Sequence, residues 1–264
     1  MKLCKRINVL FLLIVLTVIL CSCQNHYDDI NKRFEKYSSD CDVVAVLDDC
    51  TFYFFDHMLD LRDLVNENEA PNQGYLFLDN ALYFSTTKEN GLFDYSISIY
   101  RCDIYGNNKT LIFEKHGYKT HPWSVGNQDT LYFEHYSTNA FDVSAKVIES
   151  YNVITEVYEQ KANSEDVSLS DYRKDKSVDS KINVTHIIDK TKEQFSEALT
   201  GLDYSYSASK FLSGRLFIIY RIEEPAGGLY PHFICEYVPE TDEVNFKSLV
   251  FTYDMEFIDV EYLK

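Results

Sequence analysis

The residues whose types and spacing could do chemistry sit in a few places. Asp103 heads the stretch Asp103-Ile104-Tyr105-Gly106-Asn107-Asn108. A carboxylate, side-chain amides and backbone oxygens there are the hard ligands a calcium ion takes. The regular acidic spacing of an EF-hand is missing, and Asp, Gly and Asn are also what a tight β-turn needs by itself, so a turn is the first expectation. His116 and His121 flank a short loop before Pro122-Trp123, with His135 a strand further on. Three histidines in one neighbourhood would suit zinc or copper, although scattered surface histidines are the commoner case. Trp123 is the one tryptophan of the chain, and its Pro-containing loop could present it to a sugar or a peptide. Asp48-Asp49 and Glu223-Glu224 are adjacent carboxylates, which on a strand face opposite ways and do not converge. No Gly-x-Ser-x-Gly elbow, His-Glu-x-x-His helix or phosphate-cradling glycine loop is present. The candidate ligand contacts are therefore Trp123, Asp103 and Asn107. No catalytic residue and no metal set is assigned, and calcium at the Asp103 turn is the one cofactor considered.

The N-terminus carries an address. Lys2, Lys5 and Arg6 precede an apolar run from Val9 to Ile19 that is softened only by Thr17, and Leu20-Cys21-Ser22-Cys23 follows. A basic region, a short hydrophobic region and a small residue before a cysteine are the parts of a cleavable export signal. The closing four residues resemble a bacterial lipobox. The resemblance implies a signal peptide over residues 1–22 and a lipidated Cys23 as the first mature residue, on the extracytoplasmic face of the cell membrane. The alternative is an uncleaved anchor, but Val9 to Leu20 falls short of the roughly 20 apolar residues that span a bilayer. A diacylated or triacylated cysteine, palmitate-like chains included, supplies the second chain that stable anchoring needs.

Cleavage would leave 22 basic against 42 acidic residues, a net charge of −20. Such a surface repels phosphates, which argues against nucleic acid as a partner and suits cationic partners, with plain solubility as the bland explanation. Beyond the acceptor remain Cys41, Cys50, Cys102 and Cys235. An exported location permits disulfides, and a Cys41–Cys50 bridge would close a short loop. Small buried thiols are the equal alternative.

Residues 23–40 read as a tether. Within it Tyr27, Ile30, Phe34 and Tyr37 share one helical face that would dock on the domain or lie along the membrane. From Cys41 to the end at Lys264 the chain is rich in Tyr, Phe, Val, Ile and Thr in short alternating runs, which is strand composition. Tyr75-Leu76-Phe77-Leu78, Leu82-Tyr83-Phe84 and the alternation from Tyr95 to Cys102 are followed by a turn into Lys109 to Phe113. Such a block has the size of a propeller blade. Leu131-Tyr132-Phe133 repeats Leu82-Tyr83-Phe84, and Leu216-Phe217-Ile218 is a third version. Phe77, Phe84, Phe113, Phe133 and Phe217 fall at inward positions. Two helices are expected. One follows a capping box at Thr191–Gln194 and ends at Gly201, and one carries Met58, Leu61, Leu64 and Val65 ahead of a loop at Pro71. Residues 161–180 read as an exposed insertion.

The Leu-Tyr-Phe strand followed by Ile99-Tyr100-Arg101-Cys102-Asp103-Ile104-Tyr105-Gly106 resembles the repeats of TolB-like β-propellers and of propeller-repeat bacterial lipoproteins, with Asp103 and Gly106 at the Asp-x-x-Gly turn. The likeness covers residues 74–160 well and 210–250 loosely; spacing is irregular, and no clear strand closes the ring. The expected fold is all-β and propeller-like, with four or five irregular antiparallel blades over residues 41–264 and a few short helices. The expected function is that of a membrane-anchored binding or scaffold module for an envelope protein, peptide or glycan, one that binds rather than catalyses. Two rivals are an envelope glycan-active enzyme, which needs convergent carboxylates, and an immunity-type lipoprotein that sequesters a cationic peptide.

Overall fold

The computed structural model describes residues 28–37, 43–47, 50–54, 57–136, 146–163, 168–172, 184–212, 215–223, 229–252 and 258–262. Cys23, Cys41, the export segment and most of the 161–180 insertion lie outside them. The chain divides into two compact units, Asp42–Lys176 with Phe257–Lys264, and Met1–Cys41 with Ser177–Glu256.

The first unit is built from antiparallel four-stranded sheets. Strands β1 (Val43–Leu47), β2 (Thr51–Tyr53) and β3 (Met58–Asp60) form one sheet, and β16 (Ile258–Tyr262) completes it by pairing with β1. The chain's first and last described strands thus share a sheet, a pairing the sequence reading did not find. The second sheet is the meander β4 (Glu69–Leu78), β5 (Ala81–Gly91), β6 (Asp94–Asp103) and β7 (Thr110–Tyr118). The third is β8 (Trp123–Asn127), β9 (Thr130–Tyr136), β10 (Lys146–Asn152) and β11 (Val157–Asn163).

Turn chemistry fixes these meanders. Asp79 and Asn80 both take positive φ, 50° and 57°, the conformation of a two-residue hairpin turn between strands twisted the native way. The Asp103 carboxylate accepts from the backbone N–H of Tyr105 and of Asn107 at 3.0 and 2.8 Å, while Gly106 N–H donates to the Asp103 carbonyl at φ +78°. This is the expected Asp-x-x-Gly turn.

The second sheet is buried on both faces. On one side Phe77, Leu82, Phe84, Tyr100 and Cys102 pack with Val44, Val46 and Phe52 of the first sheet. On the other, Leu76, Ile97, Ile99 and Tyr118 pack with Leu131, Phe133 and Tyr151 of the third. Phe77, Phe84, Phe133 and Phe217 are buried as expected, whereas Phe113 is half-buried against Tyr151 and Tyr158.

The second unit holds the fourth meander, β12 (Tyr204–Leu212), β13 (Arg215–Ile222), β14 (Tyr230–Val238) and β15 (Glu243–Thr252). Three helices cover one of its faces: α1 (residues 28–35), α2 (Val184–Gln194) and α3 (Ser196–Leu199). Ile30 and Phe34 of α1 are fully buried with Phe233 and Phe246, so the described helix of the 23–40 segment is docked, through the stripe the sequence showed.

Two helix expectations change. Thr191 is inside α2 and donates its hydroxyl to the Ile187 carbonyl at 2.8 Å, so the helix begins before the supposed cap, while Gly201 does end the segment at φ +73°. Met58 belongs to strand β3, Leu61 opens a single 3-10 turn (Leu61–Asp63), and Pro71 lies in β4 instead of a loop. Leu61 is fully buried in the core between the first and second sheets with Leu64 and Val65 packed against it, while Met58 is exposed. The fold class is all-β and propeller-like, with four sheets and few short helices. No helix among the described residues is long and apolar enough to cross a membrane.

Candidate binding surface around Trp123

Trp123 opens β8 and is 53% exposed, far above what a residue of its size shows in a core. What makes it more than a stray surface ring is how its backbone is held. The residue before it and the residue after it are both buried and both bonded to Asn72 of β4, itself only 5% exposed. Asn72 Nδ2 donates to the Pro122 carbonyl at 2.7 Å and to Thr87 Oγ1 at 2.9 Å. Its Oδ1 accepts from the backbone N–H of Ser124 at 3.2 Å and of Gln73 at 3.0 Å. The amide thereby uses all its donors and acceptors.

A second layer fixes Ser124. Its hydroxyl accepts from Gly74 N–H at 2.9 Å and lies 2.5 Å from the hydroxyl of Ser85. The backbones of β4 and β8 come so close here that a Cβ on Gly126 would stand 1.9 Å from the Tyr75 carbonyl oxygen. The irregular register between Pro71 and Tyr75 is what turns Asn72 toward β8.

The Trp123 ring is 4.8 Å from that of His121, which in turn meets Tyr95 edge-on at 5.9 Å. Burial holds the His121 imidazole below its ordinary pKa, against the opposing pull of the Glu89 carboxylate. Beyond Tyr95, at the β5–β6 turn, Leu92 is 85% and Phe93 49% exposed. The start of β8 thus carries an indole on a clamped backbone beside an imidazole and a phenol, and the β5–β6 turn adds two exposed apolar side chains.

Asp103 and Asn107 are elsewhere. Eight residue steps along β6 separate Tyr95 from Asp103, roughly 26 Å of extended strand. The Asp103 carboxylate is occupied by its own turn, with a further bond from Asn108 Nδ2 at 3.1 Å, and the turn packs through Tyr105 on His57, whose ring nitrogen lies 2.8 Å from the Ile104 carbonyl. The exposed Asn107 contributes its backbone to that turn. The structure gives this loop the work of joining the first and second sheets, and it does not bring it to Trp123. The three histidines have different partners: His116 is beside Glu114 at 3.3 Å, His121 beside Trp123, and His135 is half-buried beside Glu149. Among the described residues no group of three or more His, Cys, Asp or Glu side chains is placed to hold a metal. Cys50 is described while Cys41 is not. Cys102 and Cys235 are buried free thiols, and burial pushes Cys102 up to about 11 and raises Cys235 as well, which makes both poor nucleophiles.

A cluster of ionisable groups joins the second and third sheets. Glu149 of β10 is 4% exposed and receives Lys115 Nζ at 2.6 Å and the Tyr118 hydroxyl at 2.8 Å. Lys115 also donates to the Tyr158 hydroxyl, and His135 Nε2 stands 3.4 Å from Glu149 at ion-pair distance. Burial alone would raise the Glu149 carboxyl, but the contacts from His135, Lys115, Tyr158 and Tyr118 outweigh it and hold it at about 2. Burial and the neighbouring carboxylate raise both phenols. A carboxylate held ionised among these donors from β7, β9 and β11 fastens the second and third sheets to each other.

No family model and no curated protein matches the chain. Among solved structures, a mutant of the Synechocystis apocarotenoid oxygenase aligns at 6% identity and a TM-score of 0.28 over 74% of this chain. The alignment spans 42% of the oxygenase, less than half its length. The WD40 domain of SCAP from fission yeast aligns at 8% identity and a TM-score of 0.19, covering 84% of this chain and 61% of that one. Likenesses this distant carry no weight for fold or function.

Proposed function

We propose that the protein is a lipid-anchored extracytoplasmic binding module, held to the cell membrane through Cys23 after removal of residues 1–22, which presents its Trp123 end to an envelope protein or peptide. The observation that carries this reading is the half-exposed Trp123 on a backbone clamped by buried Asn72. Aromatic side chains presented rigidly are the usual anchors of recognition surfaces, because little conformational entropy is lost when they dock. The export-type N-terminus and the small residue before Cys23 support the address.

The test is mild cross-linking of the full chain in native membranes, followed by mass spectrometry, with Trp123→Ala as the comparison. One envelope protein captured by the natural chain and lost with Trp123→Ala supports the reading; an identical capture by both overturns the role of Trp123. Cys23→Ser tests the anchor separately. Release from the membrane fraction is expected, and retention there with a lipid label would overturn it.

A further inference from the structure

We infer that one face of the third sheet carries a second binding site, for a neutral saccharide. The face holds an open groove of about 260 Å³ across β9, β10 and β11. Register places its residues together: Tyr132 pairs with Ser150, and Ser150 with Glu159, while the side chains of Phe133, Glu149 and Tyr151 alternate to the other face and belong to the contact with the second sheet.

The lining has the chemistry of sugar recognition. Tyr132 is held by stacking on Tyr172, with ring centroids 4.5 Å apart, which supplies a rigid aromatic wall. Ser150 is 2% exposed as a residue and lines the groove. Its hydroxyl is not one of the buried polar atoms left without a partner, and at the groove a ligand hydroxyl would take the place of water on it. The hydroxyl of Thr155, on the exposed β10–β11 turn, is equally available. Asn152 is already committed, accepting from Ile154 and Thr155 N–H and donating to Thr130 Oγ1, so it shapes the rim.

Charge defines the ligand further. The one acidic and one basic side chain in the lining, Glu159 and Lys161, are paired with each other, leaving no net charge to select an ion. Hydroxyls that both donate and accept, beside an aromatic wall, match the hydroxyls and C–H faces of a sugar ring. The volume lies under the roughly 300–1,000 Å³ of drug-sized sites, which limits the occupant to one or two rings. This site lies on a different sheet face from Trp123 and does not rest on the reading of that residue.

The experiment is saturation-transfer NMR on the full chain, with glucose, galactose, N-acetylglucosamine and their disaccharides as neutral probes and glucose 6-phosphate as the charged one, each at about 10 mM, well above a millimolar Kd. At least one neutral probe is expected to bind. Thr155→Val, at an exposed turn where folding is not at stake, is expected to weaken it about fivefold, the worth of one hydrogen bond. Tyr132→Ala is expected to weaken it tenfold or more, Tyr132→Phe to keep the stacking, and Trp123→Ala to leave affinity unchanged. The inference is overturned if no neutral probe binds, if only glucose 6-phosphate binds, if Thr155→Val binds as the natural chain does, or if Trp123→Ala abolishes binding.

Discussion

Asn72 holds Pro122, fifty residues further along the chain, by a 2.7 Å hydrogen bond across the gap between two sheets, and so positions the tryptophan that follows it. The same amide oxygen takes the N–H on the far side of Trp123, at Ser124. The exposed ring is thus attached to one of the best-satisfied polar groups in the first unit, and the support is separable from the contact.

Replacement of Asn72 by Ala should therefore act on Trp123 without touching it. The substitution removes the Asn72 partner of Ser124 N–H and leaves the Pro122 carbonyl with only the longer, 3.3 Å bond from Thr87 Oγ1, at about 1–3 kcal/mol of stability. Trp123 is the sole tryptophan, so its fluorescence anisotropy reads the local effect directly and should fall. Unchanged anisotropy together with a denaturation midpoint equal to that of the natural chain would show that the clamp does not hold the loop.

The strand repeats were the legible part of this chain. Leu82-Tyr83-Phe84, Leu131-Tyr132-Phe133 and Leu216-Phe217-Ile218 lie in β5, β9 and β13, each the second strand of its meander, because alternation and bulky side chains report burial locally. Strand β16 escaped although Ile258-Asp259-Val260-Glu261-Tyr262 alternates cleanly. Its partner Val43-Val44-Ala45-Val46-Leu47 stands at the opposite end of the chain, and nothing local announces a pairing over that separation.

The site was less legible. Trp123 was visible as a rare residue in a turn-rich stretch, but Asn72 beside Pro71 has the composition of a loop, and its role exists only once β4 meets β8. Asp103 and Asn107 were legible as a turn, and their polar groups serve that turn. The Glu149 cluster draws on β7, β9, β10 and β11, with no local spacing to mark it. One signal did exist: Glu149 falls between Val147 and Tyr151 on the inward-facing side of β10, where a carboxylate needs partners.

That cluster makes stability depend on acid. The Glu149 carboxyl, ordinarily near 4.5, is lowered in the folded state to about 2. Because the folded value is the lower one, its contribution is complete above about 4.5 and is lost as pH falls toward about 2. The loss amounts to at most about 3 kcal/mol, lessened by the partial exposure of Lys115. Glu149→Gln should be destabilised at neutral pH, and its stability deficit should shrink as pH falls through that window. A deficit constant down to pH about 2 would mean that the carboxylate charge is not what fastens the sheets.

The close approach of β4 and β8 predicts a sharp intolerance at Gly126. An added Cβ would stand 1.9 Å from the Tyr75 carbonyl oxygen, which is backbone and cannot rotate away. Gly126→Ala should lose several kcal/mol or fail to fold, in the range of severe overpacking. Gly91→Ala, at a position with nothing within 4 Å of the added carbon, is the control and should fold normally. Equal denaturation midpoints for the two variants would show that the sheets separate easily along this line.

The pair His121 and Trp123 offers a pH reading of the exposed end itself. Burial depresses the imidazole from its ordinary 6.5, with Glu89 opposing, so His121 stays neutral until the solution is more acidic than 6.5. The folded value being the lower one, any stability linked to this group is present above 6.5 and is lost as pH falls through the depressed value. An imidazolium 4.8 Å from the indole quenches its emission, so Trp123 fluorescence should fall in one step with a midpoint below 6.5. His121→Asn should abolish the step, and Glu89→Gln should move it to still lower pH, because the carboxylate is what favours the charged ring. A step that survives in His121→Asn would assign the titration to another group and remove the imidazole from the contact surface.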